Sequence, residues 1–333
     1  MGKSIIFRLL TIVAILLIVM LYFAPIWWVS LKAPNYPPEA FPDGVRIHFH
    51  VNGVFNGCQK RESEEIYEEE ALNCVHEMDT INHYVGMYPI ASGGSIERAL
   101  SQFLFAVLIV MLLAFMLSGR KFQAIILTVG FSVIVVWGYI TLFTPGGITW
   151  MSAGYQQVLQ TSMDMVREEF QEWSGFQAMR ENYQESLGLY FRETAKIQQR
   201  IDILTMATYV VIGVLIASLF IFIAGILWKN KRFYWLLLII PILLPLFFVL
   251  EYAGWLWWFG HNLNEMGAFT LKPFMPTVFG DGKVAQFTTH SYPHYGFGLM
   301  LLSSVLLILA GLLRRRQLWE AKKLLAPTNS SHS

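Results

Sequence analysis

Charge is scarce in this sequence. Asp, Glu, Lys and Arg make up 14% of its 333 residues, against roughly 25% in soluble domains. That shortage excludes a chain that faces water over its whole surface. Signature motifs are missing as well. There is no Gly-x-x-x-x-Gly-Lys loop, so the chain does not hydrolyse nucleotide by that route. Cys-x-x-Cys-His is absent, which excludes c-type haem attachment. His-Glu-x-x-His is absent too. No histidine falls in the middle of an apolar run, which argues against a haem held between two histidines deep in a bilayer. Nothing resembles a Ser-His-Asp or Cys-His nucleophile in a recognisable setting. Enzymatic activity is therefore not the expectation, and no cofactor motif for haem or nucleotide is read.

Hydrophobic residues supply 55% of the chain. They gather in six stretches: Leu9–Ile26, Ala99–Leu117, Phe122–Phe143, Ile203–Trp228, Phe233–Trp258 and Tyr295–Leu313. Each approaches the ~20 residues that carry a helix across a bilayer. Basic residues collect at alternate ends: Lys3 and Arg8; Arg120 and Lys121; Lys229, Lys231 and Arg232; Arg314, Arg315, Arg316, Lys322 and Lys323. Those ends hold 12 of the 24 basic residues but only Glu320 of the 23 acids. The positive-inside rule makes them cytoplasmic, both termini included. The opposite side is strongly acidic, so a nucleic-acid surface is not expected.

The fold class expected is therefore membrane all-α, with six transmembrane helices. A small α/β extracytoplasmic domain lies between helices one and two, and an extracytoplasmic helical hairpin between helices three and four. The divisions are an uncleaved anchor (1–28), the extracytoplasmic domain (29–98), the second and third helices (99–143), the helical segment (144–202), the fourth and fifth helices (203–258), an extracytoplasmic loop (259–294), and the sixth helix with a cytoplasmic tail (295–333). Trp27 and Trp28, like Trp255, Trp257 and Trp258, are placed at the outer interface. Pro241 and Pro245 predict a kink in the fifth helix, which is ordinary in membrane helices and also a device for gating.

Seven of the eight histidines and both cysteines fall in the three outer segments. The alternation in Val45–Gly53 predicts a strand ending in an Asn-Gly turn, with Arg46, His48 and His50 on one face. Lys60–Glu70 reads as a solvated helix or loop. In a helical Cys74–Met87, His76, Thr80, His83 and Met87 share a face. Leu159–Trp173 and Phe176–Ile201 read as two amphipathic helices broken at Ser174-Gly175, the second running on into the fourth span.

Cys58 and Cys74 share an exported loop, where two thiols form a disulfide; a pair of copper(I) thiolates is the alternative. His76, Met78, His83 and Met87, with His48 and His50, offer the imidazole and thioether donors that suit copper. His290 and His294, at the mouth of the last span, are further candidate ligands. The plain alternative is that these methionines pack and these histidines hydrogen-bond in loops or cap a helix. Glu251, an ionisable group near the end of an apolar span, needs a partner. Arg98 or Arg200 would make it an ion pair; a proton relay is the alternative.

Three strings, Ala33-Pro34-Asn35-Tyr36-Pro37, Ile81-Asn82-His83-Tyr84-Val85-Gly86-Met87 and Phe287-Thr288-Thr289-His290-Ser291-Tyr292-Pro293, resemble multi-pass membrane proteins encoded with bacterial nitrous oxide reductase systems of the atypical type. They cover 19 of the 333 residues, and the Cys58 insert departs from the pattern. The resemblance implies a bacterial cytoplasmic (inner) membrane protein that is accessory to a periplasmic respiratory copper enzyme in denitrification. Copper supply, maturation or electron delivery would be its task, with other membrane or periplasmic subunits as partners. On that reading His83, Met87, His290 and His294 converge at the outer mouth, with His48, His50 and His76 as auxiliary ligands. The alternatives are a transporter or permease-like subunit and a non-catalytic membrane scaffold.

Overall fold

The computed structural model describes residues 2–58, 73–90, 94–189, 191–228, 231–268, 271–284 and 286–324. The stretch Lys60–Glu70, read above as a solvated helix or loop, lies outside them.

Among the described residues, five helices are long and apolar enough to cross a membrane: α1 (Gly2–Phe23), α3 (Ser95–Met116), α4 (Arg120–Phe143), α8 (Thr194–Leu227) and α11 (Tyr295–Leu324). Their outward faces are rich in exposed Leu, Ile, Val and Phe, as a lipid-facing surface requires. A sixth candidate is broken into α9 (Lys231–Ile242) and α10 (Leu244–His261), bent by 59°. The break lies where the two prolines predict it. Pro245 has no N–H to continue the ladder, and the Ser304 hydroxyl of α11 donates to the exposed Ile242 carbonyl (2.9 Å). α9 packs on both α3 and α11, and α10 packs on α11.

A five-stranded antiparallel sheet of order β3-β2-β1-β5-β4 caps one end of the bundle. Its strands are β1 (Trp27–Lys32), β2 (Val45–His50), β3 (Gly53–Asn56), β4 (Gly280–Val284) and β5 (Phe287–Pro293). The predicted strand and Asn-Gly turn are β2 and the start of β3. The rest corrects the expected division. α1 stops at Phe23, because Pro25 cannot donate to the helix. The chain then enters β1, so the sheet starts inside the stretch assigned to the anchor. The domain expected at 29–98 is also not confined to those residues, since β4 and β5 come from the segment read as a loop. β1 continues α1 and β5 leads into α11, so the central strand pair extends the tightest helix pair of the bundle. Backbone bonds from His294 N to Ile26 O (2.9 Å) and Gly296 N to Pro25 O (3.0 Å) close the junction. A side chain at Gly296 would collide with the Pro25 carbonyl.

The sheet's inner face carries Trp27, Val29, Leu31, Val45, Ile47 and Phe287, all buried. Trp27 is thus a core residue and not an interfacial one. Beneath this face lies α2 (Cys74–Tyr84). A Cys58–Cys74 disulfide ties β3 to its start, with Cα atoms 6.0 Å apart, and the Asn56 side chain accepts from both cysteine amides (3.0 and 3.3 Å). Closing a loop of 16 residues' separation stabilises the fold by about 3 kcal/mol. The helix ends at Tyr84, and Gly86 follows in a left-handed conformation (φ 78°). Met87 therefore lies off the helical face expected to pair it with His83.

The segment 144–202 forms α5 (Ala153–Met163), a short α6 (Arg167–Phe170) and α7 (Gly175–Gly188). Ser174 caps α7 by accepting from Gln177 N (3.1 Å), as the break at Ser174-Gly175 predicts. The helix does not run on into the span. α7 ends at Gly188 and α8 begins afresh at Thr194, because Phe191 between them is buried against the rings of Tyr88 (4.8 Å) and His83 (5.2 Å).

Candidate functional site

The bend at the α9–α10 junction leaves space. With α10 leaning on α11, a cavity of about 530 Å³ opens among α3, α8, α10 and the edge of the sheet. Its walls are side chains such as Leu104, Leu108, Leu219, Phe222, Phe247 and Met300. The charged lining residues, Glu97, Arg98 and Glu251, together with His50, belong to elements at the sheet-side end.

Gly94 organises that end. It caps α3 in a left-handed conformation (φ 62°), which L side chains adopt only under strain. The point where a Cβ would stand is 3.8 Å from Glu97 Oε2, 3.9 Å from Glu251 Oε1 and 3.9 Å from Trp255 Nε1. Two carboxylates thus face one small space across the missing side chain. Trp255 Nε1 borders the same space. Glu97 Oε2 has no hydrogen-bond partner. Arg98, 6% exposed, donates from Nη2 to Asn182 Oδ1 (3.2 Å), while its Nε and Nη1 have no acceptor. Buried polar atoms without partners are costly, and here several border the same cavity.

Glu251 was expected to pair with Arg98 or Arg200. It faces Glu97 and Trp255 instead. Arg200 is held by Asn262 Oδ1 (3.2 Å) and by the rings of Tyr88 and Trp258 (both 5.2 Å). Glu97 was not singled out from the sequence. Its signal was an acid in the first turn of a span, obscured by the neighbouring Arg98, which invited an ion-pair reading.

The histidines divide. His48 and His50 lie on the outer face of β2, and His294 packs against His48 with ring centroids 5.0 Å apart. Burial, aided by Arg46 and by the neighbouring imidazoles, lowers His48 to about 4. Burial and His294 lower His50 to about 4, with the Phe23 carbonyl working against them. Burial and Arg46 lower His294 as well, and its Nδ1 accepts from Tyr295 N (2.9 Å). All three are neutral at neutral pH. The other candidate ligands have different surroundings. His290 bonds Asp281 (2.6 Å). His83 packs on Phe191, Met87 is buried in the core, and His76 sits in the first turn of α2. Among the described residues, no group of three or more His, Cys, Asp or Glu is arranged to hold a metal ion. The convergence of His83, Met87, His290 and His294 is replaced by the grouping of His48, His50 and His294. Cys58 and Cys74 are bonded to each other, which leaves no thiolate pair for copper. No family model, curated protein or solved structure matches this chain.

Proposed function

We propose that this chain is an integral membrane protein that holds an amphiphilic molecule between its helices. The apolar part fills the cavity, and the polar head lies against Glu97, Glu251 and Arg98. One observation carries this reading: a cavity of ligand size, walled by hydrocarbon, ends at buried polar atoms that lack partners. The sheet and the disulfide would face the exported side, as the basic helix ends and an oxidising compartment require. A carrier working by alternating access would need polar groups near the bilayer midplane, whereas the charged lining residues of this cavity gather at one end.

The test is lipid extraction and mass spectrometry of protein purified in mild detergent. Wild-type protein is expected to retain about one amphiphile per chain. Gly94→Val, which fills the space between the carboxylates, and Leu108→Trp, which fills the trough, are each expected to reduce retention by about ten-fold. Wild-type protein stripped to the level of Leu108→Trp would refute the proposal.

A second reading is favoured by the three neutral imidazoles, since neutral imidazole is the form that ligates metals. On it the chain is the accessory to a respiratory copper enzyme that the resemblance implies, taking copper at His48, His50 and His294. Elemental analysis after copper(I) titration is expected to give near one equivalent for wild type and none for the His48→Ala/His294→Ala pair. Equal loading of both would end that reading.

A further inference from the structure

We infer that the amphiphile is an aminophospholipid, with its primary ammonium between Glu97 and Glu251, its phosphate on Arg98 and an acyl chain in the trough. This rests on the cavity holding an amphiphile and adds the identity of its head.

Two carboxylates facing one space at low dielectric repel, and a cation between them relieves the repulsion. Glu97 Oε2, Glu251 Oε1 and Trp255 Nε1 each lie 3.8–3.9 Å from the point where a Gly94 Cβ would stand, and all four residues line the cavity. A primary ammonium donates N–H bonds at about 2.8 Å, so it fits on the cavity side of Gly94 once the carboxylates draw in around it. A trimethylammonium cannot, because its methyl groups hold the oxygens off and bring no N–H donor. Glu97 Oε2, with no partner in the protein, gains one.

Arg98 supplies the other half. It is one residue along α3 from Glu97, it lines the same cavity, and its Nε and Nη1 have no acceptor. A phosphate diester presents the anionic oxygens that a guanidinium suits. The charged groups that line the cavity, two carboxylates and one guanidinium, thus match a head that carries an ammonium and a phosphate a few bonds apart. A free fatty acid would set a third carboxylate beside two, and a purely anionic phospholipid would leave the carboxylates facing each other.

Depth agrees with this assignment. Glu97 is in the first turn of α3 and Gly94 caps it, so the polar groups lie at the sheet-side end of a span, the level of lipid headgroups. The trough runs from there along α3 past Leu104 and Leu108 to Met111, the direction an acyl chain takes below its head.

The experiment is native mass spectrometry of the delipidated full chain titrated with phosphatidylethanolamine, phosphatidylcholine and phosphatidylglycerol of identical acyl chains. Wild type is expected to bind phosphatidylethanolamine at least ten-fold more tightly than either other lipid. Glu97→Gln/Glu251→Gln is expected to bring phosphatidylethanolamine down to the level of phosphatidylcholine without abolishing binding of either. Equal affinities in wild type, or preference for phosphatidylglycerol, would overturn the head assignment and leave the cavity reading standing. Failure of Leu108→Trp to weaken any of the three lipids would overturn the cavity reading itself.

Discussion

Replacing Trp27 with alanine will cost about 3–5 kcal/mol, whereas the same change at Trp28 will cost less than about 1 kcal/mol. The two neighbours face opposite sides of β1. Trp27 is 3% exposed. Its indole N–H donates to Ser291 Oγ of β5 (2.9 Å). Its ring meets Phe248 (6.0 Å) and Tyr252 (5.7 Å) of α10, Phe297 of α11 (5.5 Å) and Phe279 (6.2 Å). It thereby pegs the sheet to both the bent helix and the last span. Trp28 lies on the outer face under the Arg46 guanidinium, 4.3 Å from its ring centre, and beside Tyr292 (5.4 Å). Removing it leaves no cavity in the core. Denaturant unfolding in detergent, followed for both variants, measures the difference. Phe248 and Tyr252 also line the cavity, so Trp27→Ala is expected to lower retention of the bound amphiphile along with stability. Equal losses for the two variants would mean that the sheet is not pegged to the helices through Trp27.

Much of this architecture was legible, and what was missed has physical causes. Run length and basic ends mark the spans, and Pro241 and Pro245 mark the bend. Alternation with an Asn-Gly turn marks β2 and β3, because a hairpin is local. β1 hides in the tail of an apolar run, where Ile26-Trp27-Trp28-Val29 reads as the end of a helix. Only Pro25 hints that the helix has stopped. Its partner β5 is more than 250 residues away, and nothing in either strand names the other. β5 also alternates, but His290 within it and His294 just after it drew attention to ligation. The pairing of His83 with Met87 assumed a continuous helix, and the left-handed turn at Gly86 removes it. At the candidate site Glu251 signalled itself as a lone acid near the end of a span. Its true neighbour, Glu97, did not, since two acids brought together across a glycine are a tertiary fact. The cavity is less legible still, because it is made by the direction of a bend and not by any residue in it.

Acidification supplies the second large effect. His48 and His50 are held at about 4 in the folded protein, against an ordinary value of 6.5, by burial first and by neighbouring positive groups second. Between those values the unfolded chain binds protons that the folded chain does not, so stability rises with pH there. The stabilisation is full above 6.5 and is lost as pH falls towards 4. Allowing for the exposed part of each ring, each imidazole contributes about 1–2 kcal/mol of this dependence. The charged or titratable groups that shift His48 are Arg46 on β2, His294 before α11 and His50, and the one that shifts His50 is His294. None is an acid that would reverse the sign. Unfolding measured from pH 7 to pH 4 is therefore expected to show a loss that His48→Gln/His50→Gln largely abolishes, because glutamine takes up no proton. An unchanged pH slope in that variant would show that other groups carry the acid sensitivity. Stability rising on acidification would show that these rings find an anion the fold does not display. The position of His50 gives the effect a functional edge: it lines the cavity. Protonating it places a cation on the wall of a cavity proposed to select an ammonium head, so amphiphile retention is expected to fall over the same pH window as stability.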